Sequence, residues 1–210
     1  DESDKVLSHE LFQGGDKEAY NMSTDIFVVD TPFLIAKLEE EAAKEEPRKL
    51  RYVLRDLAVA ENAFAYEYTG YLSNIHSVKA YFDANLDMLE SHKFYKLFAP
   101  NQKVYTKVKN EEPTYYSDSS EVKLSQFASG SIVRGKVENS VISRNVDLSE
   151  GSSVSHSILF PRVKVAKGAT VEYAIVDKGV EIAEGVTIRG TENNPVVIKK
   201  GSVVTEDIVR

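Results

Sequence analysis

Residues 137–187 consist of three consecutive segments of 17 residues: VENSVISRNVDLSEGSS (137–153), VSHSILFPRVKVAKGAT (154–170) and VEYAIVDKGVEIAEGVT (171–187). When the segments are aligned, five columns are aliphatic throughout, and a sixth contains only glycine, at Gly151, Gly168 and Gly185. A fixed internal period is typical of a solenoid, in which each unit buries its apolar face against its neighbours. A unit of this length is too short for a helix pair, but it fits one coil of a parallel β-helix.

The repeat therefore predicts three short strands and three corners in each coil. The glycine column marks a corner that needs a positive φ. From Ser119 to Arg210 there is room for about five coils at about 4.8 Å each. The segment 190–195 interrupts the period and is interpreted as a loop or cap. We predict a left-handed parallel β-helix of the hexapeptide type, with 17-residue coils, over residues 119–210.

Two adjacent columns of the repeat are both apolar, although neighbouring residues of a strand point to opposite faces. One column contains Val141, Ile158 and Ile175, and the other contains Ile142, Leu159 and Val176. Either a corner lies between them and both point inward, or one column forms an exposed stripe that is available to another subunit. The sequence leaves both alternatives open. Candidate contact residues for an oligomer or an effector are Ile142, Leu159 and Val176.

Residues 1–99 have a different pattern, in which predicted strands alternate with predicted helices. Apolar or aromatic runs predict strands at 25–30 and 62–69, and helical spacing predicts helices from Asp30 to near Pro47, at 48–60 and at 76–99. Residues 100–118 are interpreted as a linker with one short strand at 103–107. The expected fold class is thus an α+β or α/β fragment (1–99), a linker (100–118) and an all-β domain (119–210).

Composition excludes several classes of function. The chain has no cysteine, so disulfides and thiolate metal sites are excluded, and it carries a net charge of -7 without a basic run. We therefore expect neither a nucleic-acid partner nor a membrane partner, and we predict a cytoplasmic protein. Because the chain begins at Asp1 rather than with Met, we expect it to be a piece of something longer.

Three segments carry a specific resemblance to a known family. Residues 21–27 (NMSTDIF) are similar to a Ser-Met-Gly-aliphatic-Tyr-aliphatic-Phe motif, and residues 70–77 (GYLSNIHS) to Gly-Tyr-Trp-basic-Asp-Val-Gly-Thr. Residues 81–89 (YFDANLDML) are similar to Tyr-x-x-Ala-Asn-Met-Asp-Leu-Leu. In this order, and followed by a β-helix, the motifs resemble the C-terminal half of glucose-1-phosphate adenylyltransferase. That family, also called ADP-glucose pyrophosphorylase, converts ATP and glucose 1-phosphate to ADP-glucose and diphosphate in bacterial glycogen synthesis.

The resemblance implies sugar-site positions at Asn21, Ser23, Gly70 and Tyr71. It also implies a Mg²⁺ site in the catalytic members, held by two aspartates, one of which corresponds to Asn74 here. An amide is a weaker ligand for a hard cation than a carboxylate, so we expect no catalytic residue, no metal and no cofactor in this chain. Asn21 and Ser23 depart from the family serine and glycine, and His76 replaces another glycine. These departures resemble the non-catalytic, regulatory type of subunit.

The resemblance further implies a tetramer with a catalytic subunit or with further copies of this chain. A small phosphorylated effector is a further candidate partner, which arginines of the predicted β-helix could contact, although solvated arginine is the simpler interpretation: Arg134, Arg144, Arg162 and Arg189. An alternative function is a β-helix acyltransferase, either alone or fused to a sugar-1-phosphate nucleotidyltransferase, although such trimers usually have more coils. His156 is a candidate base for that reaction, but Asn139 and Tyr173 in its column favour an outward position without catalytic function. A third alternative is a scaffold that binds no ligand.

Overall fold

The computed structural model describes residues 4–9, 22–61, 63–99 and 103–210. By compactness the chain divides into two units, Asp1–Thr69 and Gly70–Arg210. The helices are α1 (Thr31–Ala42), α2 (Leu50–Ala60), α3 (Val78–Leu86), a 3₁₀ turn (Asp87–Leu89) and α4 (Ser91–Leu97). Among the helices that the structure describes, none has the length and the apolar character needed to cross a membrane.

The first unit contains the predicted helices but lacks the predicted strands. Asp30 caps α1 by accepting a hydrogen bond from the backbone N–H of Phe33 at 3.0 Å, as expected for an aspartate before Pro32. The strand prediction for 25–30 is wrong, and the side chains of Ile26 and Val28 are 81% and 101% exposed. A strand needs a partner, and within the described part of this unit the one pairing is an isolated antiparallel bridge between Lys5 and Phe64.

Glu41 is a charged residue that is buried in this unit, with 5% of its surface exposed. Its carboxylate accepts hydrogen bonds from Nε of Arg48 at 2.9 Å and from the backbone N–H of the same residue at 3.0 Å. Lys44 forms a second ion pair with it. The hydrogen bonds from Arg48, followed by that from Lys44, hold the pKa of Glu41 well below its ordinary value.

We expect this ion-pair cluster to make the first unit sensitive to acid. The folded chain keeps Glu41 ionised at pH values where the unfolded chain binds a proton, so the free energy of unfolding falls as the pH drops below about 4.5. Glu41→Gln should reduce that dependence, measured as the thermal midpoint between pH 6 and about pH 3. Glu40→Gln, which removes only an exposed pair with Lys37, is the control. Equal pH dependence in the Glu41→Gln variant and the wild type would contradict the assignment.

The second unit contains a parallel β-solenoid with 17 short strands. Their bounds are β1 Tyr115–Tyr116, β2 Glu121–Lys123, β3 Gln126–Phe127, β4 Ile132–Val133, β5 Lys136–Glu138, β6 Val141–Ile142, β7 Asp147–Leu148, β8 Ser153–Ser155, β9 Ile158–Leu159, β10 Lys164–Val165, β11 Thr170–Glu172, β12 Ala174–Val176, β13 Glu181–Ile182, β14 Thr187–Arg189, β15 Val196–Ile198, β16 Val203–Val204 and β17 Ile208–Val209. Each strand pairs with the strand three positions later in the chain. The resulting three sheets are β1-β4-β7-β10-β13-β16, β2-β5-β8-β11-β14-β17 and β3-β6-β9-β12-β15.

The predicted β-helix is confirmed, and its strand register follows the period. Lys164 pairs with Glu181, 17 residues later, whereas Gln126 pairs with Val141, 15 residues later, in the first coil. Two of the sheets have six strands, so the solenoid has six coils rather than the five predicted, and it begins at Tyr115. The loop at 190–195 lengthens one coil, so that Ala174 pairs with Val196.

The interior of the solenoid is aliphatic, and its glycine corner is as predicted. The cluster of buried residues contains, among others, Val137, Val146, Leu148, Val163, Val165, Val171, Val180, Ile182 and Ile188. Gly151, Gly168 and Gly185 have φ values of 70°, 69° and 71°, the left-handed region that costs glycine least. Stacking of like residues on like residues therefore builds continuous apolar columns inside and tight corners outside.

Candidate functional site

The segment after Gly70 is held by hydrogen bonds to the end of α3. The phenol O–H of Tyr71 donates to Oδ2 of Asp87, with 3.0 Å between the two oxygens. Burial, followed by this hydrogen bond, raises the pKa of Tyr71, while a hydrogen bond from the Ser73 hydroxyl opposes that shift. Tyr71 therefore stays protonated and donates toward Asp87. Gly70 is exposed, and Tyr71 is partly buried.

Asp87 is itself held in place by a lysine. Nζ of Lys93 on α4 lies 2.6 Å from Oδ1 of Asp87 and 2.7 Å from Oε1 of Glu90. These two hydrogen bonds raise the pKa of Lys93, so the ammonium keeps its charge. The single helix predicted over 76–99 is interrupted here, because Glu90 leaves the helical region with ψ at 114°. The interruption allows Lys93 to reach back to Asp87.

The turn that begins with Asp87 also contacts the solenoid. The side-chain amide of Gln126 on β3 donates to the carbonyl of Met88. Asp87 and Met88 are adjacent, so one 3₁₀ turn is bonded both to Tyr71 and to the first coil of the solenoid. The turn is therefore fixed with respect to the strands beneath it.

An apolar cluster joins α3 to the outside of the solenoid. Phe82, Ile158 and Ile175 are 1%, 2% and 6% exposed and belong to one cluster. Partly buried residues at its edge are Tyr81, Leu86, Phe160 and Tyr173. The outward apolar stripe that the sequence left open therefore exists, and its members Ile158 and Ile175 are covered by a helix of the same chain.

Ile142, Leu159 and Val176, the residues predicted to contact another subunit or an effector, lie in the interior of the solenoid. The prediction that they form a contact surface is therefore wrong. They are 1%, 0% and 0% exposed and belong to the interior cluster. Neighbours on a strand point to opposite faces, and the column that includes Ile158 takes the outer one. In the folded chain Ile142, Leu159 and Val176 have no surface to offer to another subunit or to an effector.

Two of the predicted sugar-site residues, Asn21 and Ser23, belong to the first unit, and the structure describes only Ser23. Asn21 lies outside the described residues. Ser23 is exposed, and its hydroxyl accepts a hydrogen bond from the backbone N–H of Asp25 at 3.2 Å. Asp25 in turn forms an ion pair with Arg55 on α2, with 2.8 Å between Oδ2 and Nη2. Arg55 was not predictable from the sequence, because 30 residues separate it from Asp25 and no local pattern marks the pair.

The residues around Asn74 do not fit the metal that the resemblance implies. Asn74 and His76 are both exposed, and Nδ1 of His76 lies 3.0 Å from the carbonyl oxygen of Asn74. Within the described ranges, no group of three or more His, Cys, Asp or Glu side chains is placed to hold a metal ion. Mg²⁺ prefers anionic oxygen ligands, and the amide at 74 is neutral. We therefore derive no catalytic step through a metal in this chain.

His156 lies at a corner of the solenoid, in a left-handed conformation with φ at 43°. Its ring stacks on Tyr173 with 4.8 Å between the ring centroids, and Nε2 lies 3.2 Å from the side-chain nitrogen of Asn139. Nδ1 is buried without a hydrogen-bond partner among the residues that the structure describes. The three residues form a ladder along one corner, rather than a group with a nucleophile and an orienting carboxylate.

The sequence of the chain is similar to one protein-family model and to several curated proteins. Residues 109–209 match the GlmU-like C-terminal hexapeptide family. The chain is 34% identical over 197 residues to the glycogen biosynthesis protein GlgD of Bacillus subtilis strain 168, which covers 94% of this chain and 55% of that protein. Identity to GlgD of Geobacillus stearothermophilus is 53% over 127 residues, or 60% of this chain and 37% of that protein.

A glucose-1-phosphate adenylyltransferase from Mycoplasma mobile is 31% identical over 105 residues, which are 50% of this chain and 27% of that protein. The chain thus spans about half the length, or less, of the curated relatives that it matches. The match to GlgD extends over both compact units, and the hexapeptide match coincides with the solenoid. The curated relatives of the chain are therefore GlgD glycogen biosynthesis proteins and glucose-1-phosphate adenylyltransferases, to whose C-terminal regions it is similar, and it contains a GlmU-like hexapeptide domain.

Proposed function

We propose that the chain is part of a subunit that acts in glycogen synthesis by assembling with and controlling a catalytic partner, with little or no catalysis of its own. The observation that carries this proposal is Asn74 at the position of a family metal aspartate. It is exposed, and among the described residues no group of three or more His, Cys, Asp or Glu side chains is placed to hold a metal ion with it. The names of the GlgD relatives, which are described as glycogen biosynthesis proteins, support the process but not a reaction.

The physical reason is electrostatic. Transfer between a nucleoside triphosphate and a sugar phosphate requires compensation of several negative charges, which a tightly held divalent cation supplies. A neutral amide contributes less to the affinity for that cation than a carboxylate does. We propose that the subunit consequently works through contacts of its solenoid, and that the catalytic centre of the assembly lies in another subunit.

Exposed apolar side chains at both ends of the solenoid support association. Tyr115 and Leu124 in the first coil are 59% and 63% exposed, and Val203 and Val209 near the other end are 67% and 62% exposed. Exposed apolar residues grouped in this way usually mark contact surfaces. The proposed occupants are the catalytic subunit or a second copy of this chain, and a phosphorylated effector is the proposed ligand of the assembly.

Kinetic assays of the full-length protein test this function. Purified alone, it should form no ADP-glucose from ATP and glucose 1-phosphate with Mg²⁺. Added to the adenylyltransferase of the same organism, it should co-elute with that enzyme and change its kcat or its response to effectors. Turnover by the subunit alone at an ordinary rate of about 10 per second, or the absence of any complex, would contradict the proposal. Calorimetry with acetyl-CoA is the control, since saturable micromolar binding would favour an acyltransferase instead.

We further propose that Gly70 and Tyr71 contribute to a sugar site that the subunit has kept. The support is structural order in this segment, since Tyr71 is fixed by Asp87 rather than left in solvent. A bound sugar nucleotide would then act on the assembly as a ligand rather than as a substrate of this subunit.

A further inference from the structure

The outer face of the sheet β1-β4-β7-β10-β13-β16 contains a groove of about 320 Å³. Ala166 and Ala183 line part of it, and both are partly buried in the column of residues that directly follows the strands. Lys164, Glu181 and Val203 line it as well, and all three are exposed. The alanines thus form a recess beside longer side chains that protrude into solvent. We call this surface, the outward side chains of the sheet, the groove face.

The other two faces of the solenoid are different. The outward residues Ile158 and Ile175 are already covered by α3 through Phe82. On the sheet that contains β8, β11 and β14, outward positions include the polar residues Thr170 and Thr187. The groove face combines a recess with exposed apolar and charged side chains, as expected for a surface that contacts another protein.

One column of the groove face has an order of side chains that suits a two-fold axis. Neighbouring strands pair residue by residue, so each coil contributes one residue to the column. From the first coil to the last, these residues are Tyr115, Ile132, Asp147, Lys164, Glu181 and Val203. The two central residues carry opposite charges, and the two terminal ones are apolar and more than half exposed. Reversal of the column therefore places opposite charges face to face at its centre and apolar residues face to face at its ends.

We propose that the groove face binds the groove face of a second copy of this chain, with the two solenoids antiparallel. A two-fold axis that runs along the strands places Asp147 opposite the partner's Lys164 and Tyr115 opposite the partner's Val203. Such a contact is isologous, so each pairing occurs twice. The proposed function assigns contacts to the ends of the solenoid, and this inference adds a lateral face, its occupant and its orientation.

A parallel arrangement of the same two faces is electrostatically unfavourable. It would place Asp147 opposite the partner's Asp147 and Lys164 opposite the partner's Lys164, and like charges across an interface are repulsive. Within one subunit Asp147 pairs with Arg134 at 3.0 Å, and Lys164 pairs with Glu181 at 2.7 Å. Exposed pairs of this kind are weak by themselves, and antiparallel docking joins them into one network. The charges therefore select the antiparallel orientation.

Arg134 also fills the groove of the second copy in this orientation. It belongs to the neighbouring column, in which Ser149, Ala166 and Ala183 follow in successive coils. The same axis places Arg134 over the partner's Ala183 and beside the partner's Glu181. The short alanine side chain leaves room for the guanidinium, which gains a second carboxylate. The recess and the charge are thus complementary to the same face of another copy.

Sedimentation velocity of the full-length protein alone tests this inference. Wild type should form a dimer, and Ala166→Arg, which fills the recess near the axis, should raise the dissociation constant at least about tenfold. Thr170→Arg is the matched control, because it adds the same side chain to the same coil on another face. It should leave the dissociation constant unchanged. Circular dichroism and the thermal midpoint verify that both variants are folded.

A charge exchange between two copies tests the pairing itself. Lys164→Asp leaves two acidic groups at the centre of the groove face, and Asp147→Lys leaves two basic groups there. Each variant alone should therefore dimerise at least about tenfold more weakly than wild type. An equimolar mixture of the two variants should form a heterodimer with about the wild-type dissociation constant, since every opposed pair is again of opposite sign.

A wild-type protein that remains monomeric at about 100 μM would overturn the inference. Equal weakening by Ala166→Arg and Thr170→Arg would do so too, as would a mixture of the two charge variants that stays monomeric. The proposed function is tested separately, by binding of the catalytic subunit and by the change in its kcat. A monomer that still controlled that enzyme would leave the proposed function intact and remove only the contact between groove faces.

Discussion

Leu159→Asp should abolish folding of the solenoid in the full chain. Leu159 is 0% exposed and lies in the interior column between Ile142 and Val176. Truncation of a buried leucine to alanine costs about 2–5 kcal/mol, and a carboxylate there adds the cost of burying an unpaired charge or of protonating it. Domains are stable by only about 5–15 kcal/mol, so this single change is expected to exceed the free energy of unfolding.

The loss should also spread beyond one coil. Each coil of a solenoid is stabilised mainly by its two neighbours, and Leu159 pairs through its strand with both β6 and β12. We therefore expect loss of the β-sheet circular dichroism signal and of the cooperative thermal transition, or an insoluble product.

The neighbouring residue provides the matched control. Ile158 is equally apolar and 2% exposed, but it points to the outer face beneath α3. Ile158→Asp can be accommodated if the helix moves away and the carboxylate is hydrated, whereas the interior at Leu159 offers no such route. Ile158→Asp should keep the β-sheet signal and a cooperative solenoid transition. If Ile158→Asp unfolded the solenoid while Leu159→Asp left it folded, our assignment of the two faces would be reversed.

The period of the repeat was sufficient to predict the solenoid, but not which of two adjacent apolar columns points into its interior. Identical spacing stacks like residues, so the columns at Val146 and Leu148 had to be continuous ridges, and both residues are buried in the interior. Where Val141 and Ile142 are both apolar, alternation alone cannot tell which one points inward. The deciding element is α3, whose Phe82 and Leu86 are spaced to pack on one surface. A stripe that is covered by the same chain and a stripe that contacts a partner look the same in sequence.

The failed strand predictions have a related cause. Residues 25–30, 62–69 and 103–107 have apolar content and spacing typical of strands, but a strand forms only where another backbone satisfies its hydrogen bonds along its length. In the described part of 62–69 the pairing stops at the single bridge between Phe64 and Lys5. Strand propensity depends on the apolar content and spacing of the segment itself, and it contains no information on whether a partner backbone is present. In the solenoid the next coil supplies the partner, so even strands of two residues, such as β9, are ordered.

The candidate site was predictable in position but not in geometry. The family motifs marked Gly70 and Tyr71 from local sequence alone. The partner of Tyr71 is Asp87, 16 residues later, in a turn that interrupts a predicted helix without Gly or Pro to mark it. Gln126 is a further 38 residues beyond Met88. Contacts at such separations depend on how α3 packs on the solenoid, which no pattern within a short window contains.

Phe82→Ala should release α3 from the solenoid and leave the solenoid folded. Phe82 is 1% exposed and is the residue of α3 buried in the cluster with Ile158 and Ile175. Truncation of a buried phenylalanine costs about 3–5 kcal/mol, while a helix of this length has little stability without packing. The interior cluster does not include Phe82, so the solenoid should retain its thermal transition. We expect faster hydrogen exchange and faster proteolytic cleavage in residues 78–97.

Tyr95→Ala is the control, since Tyr95 is an aromatic residue on α4 that is 65% exposed, and its removal should change exchange little. The release of α3 also has a consequence for Tyr71, because the helix leads directly into the turn that carries Asp87. Phe82→Ala should therefore also weaken ADP-glucose binding at the proposed sugar site that includes Tyr71. Unchanged hydrogen exchange over residues 78–97 would show that contacts other than this cluster hold the helix. It would also contradict our inference that packing of α3 on the solenoid fixes the position of Tyr71.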